Sequence, residues 1–239
     1  MRHGPWPGNT SIVKLQDTLI PGSLTTWAAN LAVDAILEKG PWTAEEWPTK
    51  SREVALARVN RAQRIGSEVH DQVATILTGG HADPTQETAP YLYAYTAFLA
   101  AERPEYLAVE QRVIHSRAMY GGTLDFIARM PRFPRQIVLG DIKTGKPKES
   151  HRLQLAGYMA AEGFGGSIDG YHRYWWDDGE PLRPIPRITR CVLLYLRPEG
   201  YELVPVDVTA ADRRHFLYLA GAYHRLRAWQ ASLNGKEPA

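Results

Sequence analysis

Apolar positions along the chain change period near residue 105, and that change predicts the order of elements. The stretch SLTTWAANLAVDAILEKG, from Ser23, sets Leu24, Trp27, Leu31 and Ala35 at helical spacing behind a serine cap and stops at Gly40-Pro41. A second helix is predicted from about Arg52 to Leu77, ending at Gly79-Gly80, and a third from about Ala89 to Ala101. In the third, Tyr91, Tyr95 and Phe98 recur along one side, a pattern that reads first as core packing and second as a base-stacking surface. Beyond residue 105 the runs shorten and fill with branched residues: VEQRVIHS, GGTLDFIARM and QIVLGDIKTG read as successive strands. HRLQLAGYMAAEG reads as a helix, CVLLYLR and YELVPV as a hairpin across Pro198-Glu199-Gly200, and Ala210 to Leu233 as a last helix.

Two stretches resist this treatment. Residues 1 to 22, rich in Gly and Pro, read as an irregular arm over the surface. Residues 164 to 190 read as a long excursion or lid, with Trp175 and Trp176 among arginines. Those tryptophans either anchor the insertion or stack on single-stranded bases, and the acids Asp177, Asp178 and Glu180 favour the anchor. The sum is one domain over 1–239. A mainly helical part over 1–104 carries His70, and an α/β core spans 105–239 with the excursion inside it.

Composition narrows the classes of function. Apolar residues make up 44% and charged residues 23% of the 239, enough for a packed core. With 28 basic against 26 acidic side chains the net charge is only +2, so any affinity for nucleic acid must come from local clusters. One cluster gathers Arg129, Arg132, Arg135, Lys143, Lys146 and Lys148; another, Arg213, Arg214, Arg225 and Arg227, reads as a solvated helix face. A single cysteine, Cys191, excludes an internal disulfide and a four-cysteine iron-sulfur or zinc site. No run is long and apolar enough to cross a bilayer and MRHGPWPGNT holds no signal core, so a cytoplasmic protein with no membrane partner is expected.

The segment VLGDIKTGKP supports two incompatible chemistries. Gly140 to Lys146 fits the start of a phosphate-cradling loop, but Pro147 stands where a magnesium-binding Ser or Thr is needed. Asp141-Ile142-Lys143 instead fits a D-x-K strand, in which the acid and the base share one face. A carboxylate there can hold a hard cation, and a lysine can orient water or oppose charge developing on a phosphate. Taken alone, D-x-K is more often a salt-bridged surface pair. Asp125, in an apolar strand where acids are poor formers, would sit beside Asp141. It is expected to face away from the core that Leu124 and Phe126 enter. Glu110, opening the strand before, can complete an acidic cluster or be a strand-edge glutamate. His70 on the second helix reads alone as a packed or surface residue, and Gln154 and Tyr158 share a helix face through i, i+4 spacing.

Taken in order, Gly66-x-x-x-His70, Glu110, Gly122-Thr123-Leu124-Asp125, Gly140-Asp141-Ile142-Lys143 and Gln154-x-x-x-Tyr158 resemble the motif series of the PD-(D/E)XK nuclease superfamily. Within it the series is similar to the RecB-like exonuclease branch, phage-encoded members included. The resemblance covers roughly residues 60 to 160. It implies a restriction-endonuclease-like core, a mixed central β-sheet flanked by helices. It implies that His70, Asp125, Asp141 and the Ile142 carbonyl bind Mg²⁺ or Mn²⁺, that Lys143 serves the attacking water, and that Glu110 supports the metal site. Gln154 and Tyr158 would position the substrate strand or brace the site, and Lys146 would touch a DNA phosphate. The expected partner is DNA, with a recombination or single-strand-binding protein as a second partner. An iron-sulfur cluster found in some relatives is excluded by Cys191 standing alone. A module that keeps this fold and binds nucleic acid without cutting is the competing reading.

Overall fold

The computed structural model describes residues 2–19, 43, 45–169, 173–177 and 181–233. The helix expected over 23–40 lies outside the described residues. In chain order the elements are β1 (Arg2–Trp6), α1 (Asn9–Leu19), α2 (Trp47–Leu77), α3 (Ala89–Glu102), β2 (Glu105–His115), β3 (Tyr120–Arg129) and β4 (Val138–Lys143). They continue with α4 (Glu149–Ala160), β5 (Gly163–Phe164), β6 (Ser167–Ile168), β7 (Tyr174–Asp177), β8 (Arg190–Arg197), β9 (Gly200–Val206) and α5 (Ala210–Leu233). This is an α/β fold.

Six strands form a mixed sheet in the order β5-β2-β3-β4-β8-β9. Neighbours run antiparallel except β4 and β8, which are parallel and register Asp141 with Leu193 and Lys143 with Tyr195. Apolar residues on the two faces explain the layers. On one side Phe126, Val138, Ile142, Val192 and Leu194 pack with Val69 and Val73 of α2 and with Tyr95 and Phe98 of α3. Tyr95 and Phe98 are fully buried, so the aromatic stripe of α3 is core. On the other side Leu124, Ile127, Leu139, Cys191 and Leu193 pack with Leu155 and Tyr158 of α4.

Residues 2–19 are not an irregular arm. β1 pairs with β7 in a three-stranded sheet ordered β1-β7-β6, and α1 buries Ile12 and Val13 against Tyr120, Leu153 and Phe216. Pro5 and Pro7 suggested a loop, but a proline is tolerated on an edge strand, where its missing N–H breaks no ladder. The described part of the excursion is likewise built of strands: β5 extends the large sheet beside β2, while β6 and β7 complete the small one. Trp176 sits against Trp6 with ring centroids 6.5 Å apart, which is the anchoring role.

Candidate active site

Three carboxylates, Glu110, Asp125 and Asp141, come within electrostatic reach of one another where the regular alternation of the sheet fails. Leu124 and Ile127 join the α4 side while Phe126 and Ala128 join the α2 and α3 side, an arrangement that strict alternation cannot give. The break falls at Asp125. Opposite it, between the pairs Val109–Phe126 and Gln111–Leu124, lies Glu110 with φ of 47°. Glu110 therefore does not open its strand. It is the sixth residue of β2, held in the left-handed region that a residue with a Cβ adopts at a cost. Asp125 also departs from the expectation of an outward face, since it is buried.

The local reasons for each position can be read from the packing. Gly140 faces Phe126, and a Cβ there would run into the ring, so only glycine lets β4 lie this close to β3 before delivering Asp141. His70 follows the buried Val69 on α2, and its Nε2 donates to the Ile142 carbonyl at 2.8 Å. The neutral ring then keeps a lone pair on Nδ1, 3.9 Å from Asp125 Oδ1. The other oxygen of Asp125, Oδ2, accepts from the Ile142 N–H at 2.5 Å.

Asp141 is fully buried, and Lys143 Nζ lies 2.5 Å from its Oδ2. Lys143 is thus the ion-pair partner of Oδ2, while Oδ1 has no hydrogen-bond partner. Burial pushes the Asp141 carboxyl up to about 6, against the pull of Lys143. Burial, with the charge of Asp125 second, pushes Glu110 up to about 7.

On α4, Gln154 Nε2 donates to Tyr158 OH at 2.9 Å, and Tyr158 OH donates to the Thr123 carbonyl at 2.7 Å. Burial holds this phenol well above its ordinary pKa, so it remains a donor. Asn9 Nδ2 of α1 donates to the Gln154 carbonyl at 3.0 Å. This tie was missed from sequence, because 145 residues separate the partners and no local spacing signals it. Lys146 stands exposed in the turn after β4, outside the acidic cluster. The helix α4 also brings His151 to Tyr195 OH at 3.0 Å; burial lowers its pKa to about 4, helped by the charges of Lys143 and Lys148.

The donor set suits a hard divalent cation. The gap between His70 Nδ1 and Asp125 Oδ1 is shorter than twice the roughly 2.0–2.1 Å ligand distance of magnesium, so one ion can touch both. Asp141 Oδ1 lacks a partner that an ion would supply. Among the described residues, however, no three His, Cys, Asp or Glu side chains form a ready cage. Asp125 is engaged with the Ile142 amide, and Lys143 occupies the open side of Asp141.

No family model and no curated protein matches the chain. Among solved structures it shows slight likenesses to the protein SSO0001 and to an alkaline exonuclease, LHK-Exo, from Laribacter hongkongensis. The first has a TM-score of 0.36 at 12% identity, covering 91% of this chain and 84% of that one. The second has a TM-score of 0.34 at 15% identity, covering 72% and 93%. Likenesses this slight carry nothing about activity, and the residues of the site must do so. No helix among the described residues is long and apolar enough to cross a membrane.

Proposed function

We propose that the protein is a metal-dependent deoxyribonuclease that hydrolyses phosphodiester bonds, working as an exonuclease in DNA recombination, repair or phage DNA processing. The observation that supports this reading is Asp141, a fully buried carboxylate whose Oδ2 meets Lys143 and whose Oδ1 has no partner, within electrostatic reach of Asp125 and Glu110. A buried charge of this kind is costly unless cations balance it, and Lys143 is one charge against three carboxylates. Mg²⁺ or Mn²⁺ fits the hard oxygens of Asp125, Asp141 and Ile142, with the His70 nitrogen favouring manganese as much as magnesium. When bound, such an ion neutralises charge on the phosphate and lowers the pKa of an attacking water. Lys143, freed from Asp141, orients that water and faces the negative charge that develops on phosphorus-bound oxygen. Glu110 supports the cluster, Gln154 and Tyr158 brace β3 against the strand being cut, and Lys146 meets a phosphate of the DNA. The exonuclease mode rests on the order of the five motifs, which resembles the RecB-like branch.

The test is cleavage of end-labelled linear DNA with and without Mg²⁺ or Mn²⁺, by wild type, Lys143→Ala and Asp141→Ala, beside a closed circular substrate. Metal-dependent shortening of the linear DNA by wild type alone is the expected result. Wild type that does no better than both variants under any metal refutes the reading, and DNA retention without cutting would mark a binding module.

A further inference from the structure

Strands β2 and β3 carry a second group of polar side chains, separate from the acidic cluster. Arg112 and Thr123 are register partners, each two residues along its strand from Glu110 and Asp125 respectively. Two residues advance a strand by roughly 6.5–7 Å, comparable with the step between neighbouring phosphates of a nucleic-acid strand. Thr123 Oγ1 lies 3.1 Å from Tyr174 OH, which arrives from β7 of the small sheet. Burial raises the pKa of Tyr174, while the charges of Arg112 and Glu110 act on it in opposite directions, so its hydroxyl lies within electrostatic reach of both.

The mounting of Tyr174 is rigid. Its buried ring lies directly over Gly121, where any Cβ would collide with it, and Gly8 bridges Gly121 from the other side of the β1–α1 turn. β1 pairs with β7 from Arg2–Asp177 to Trp6–Tyr174, across a register shift between His3 and Trp6. Arg112 is exposed, and its guanidinium has no ion-pair or hydrogen-bond partner among the described residues. An arginine fork beside two hydroxyls is a donor set for a tetrahedral oxyanion, and arginine in particular matches phosphate geometry.

We propose that Arg112, with the hydroxyls of Thr123 and Tyr174, binds the phosphate adjoining the one that is cut. The three-stranded sheet is then a substrate-positioning element, and the substrate is a polynucleotide strand with a phosphate on that side of the scissile bond. This rests on the nuclease reading of the acidic cluster.

The experiment measures binding of a fluorescein-labelled single-stranded oligodeoxynucleotide by anisotropy across a NaCl series in EDTA, alongside cleavage by the same preparations with Mn²⁺. Wild type, Arg112→Ala, Arg112→Lys and Tyr174→Phe are compared. Loss of one phosphate contact makes the slope of log K against log salt shallower by about 0.7 for single strands. Arg112→Ala is expected to show that change, with affinity weakened on the order of tenfold at low salt. Arg112→Lys keeps the slope but binds more weakly, and Tyr174→Phe keeps the slope with a loss of a few-fold. If wild type cleaves DNA and Arg112→Ala matches it in slope and affinity, the phosphate site is overturned and the nuclease reading stands. If wild type binds with an Arg112-dependent slope yet cuts nothing under any metal, the phosphate site is supported and the nuclease reading fails. If wild type neither binds nor cuts, both fall.

Discussion

Removing the charge of Asp141 should make the metal-free protein more stable while abolishing its activity. The group is fully buried with Lys143 against one oxygen only, and its pKa rises from 3.8 to about 6. Two pKa units at about 1.4 kcal/mol each put the cost of holding it ionised on the order of 3 kcal/mol, with the attraction of Lys143 already inside that shift. The sign follows from proton binding: the native state holds this proton more tightly than the unfolded chain. Stability is therefore fully present below pH 3.8 and is lost as pH rises through about 6. Asp141→Asn carries no such loss. Urea unfolding in EDTA at pH values from 4 to 8 should show the two proteins close together at the acid end. The variant should lead by up to about 3 kcal/mol at the alkaline end. Excess Mn²⁺ should close the gap by stabilising wild type, by about 2.7 kcal/mol at a hundredfold excess over its dissociation constant. A variant less stable than wild type at pH 8 in EDTA, or a difference flat across pH, would refute the claim that burying the Asp141 charge costs more than Lys143 returns.

Lys143→Met should act in the opposite sense, destabilising the metal-free protein by about 3–5 kcal/mol at pH 8 because it strips the buried carboxylate of its ion-pair partner. It should also lower cleavage by roughly a hundredfold or more with little change in KM, read from single-turnover assays on linear DNA. Gly140→Ala drives a methyl group into the Phe126 ring and should cost about 1–3 kcal/mol by thermal melting, recovered in part by Phe126→Leu in the double variant.

What could be read from sequence was what short spacings encode. Asp141 and Lys143 are two apart on a strand and Gln154 and Tyr158 four apart on a helix, and in the structure each pair is in contact. The strands β2, β3 and β4 follow one another as antiparallel neighbours, so their runs of branched residues were enough to order them. What failed was non-local. The prolines and glycines of residues 2–8 have the composition of a loop, and only pairing with β7 makes β1 a strand. Glu110 gave no sign of its left-handed backbone, because glutamate has no preference for that region and the kink is imposed by the strands around it. Nothing in the sequence singles out Arg112, because Tyr174, which comes within electrostatic reach of it, lies 62 residues on.

The two sheets also differ in how soon they can form. β2, β3 and β4 close through adjacent hairpins, whereas β1 and β7 join Arg2 to Asp177 and must wait for nearly the whole chain to be gathered. The acidic cluster can thus assemble early on a local scaffold, while the small sheet that holds Tyr174 over Thr123 is completed late. A refolding chain would assemble its acidic cluster before the small sheet that carries Tyr174. In hydrogen exchange, β1 and β7 should open and close as a unit of their own while β3 and β4 stay protected.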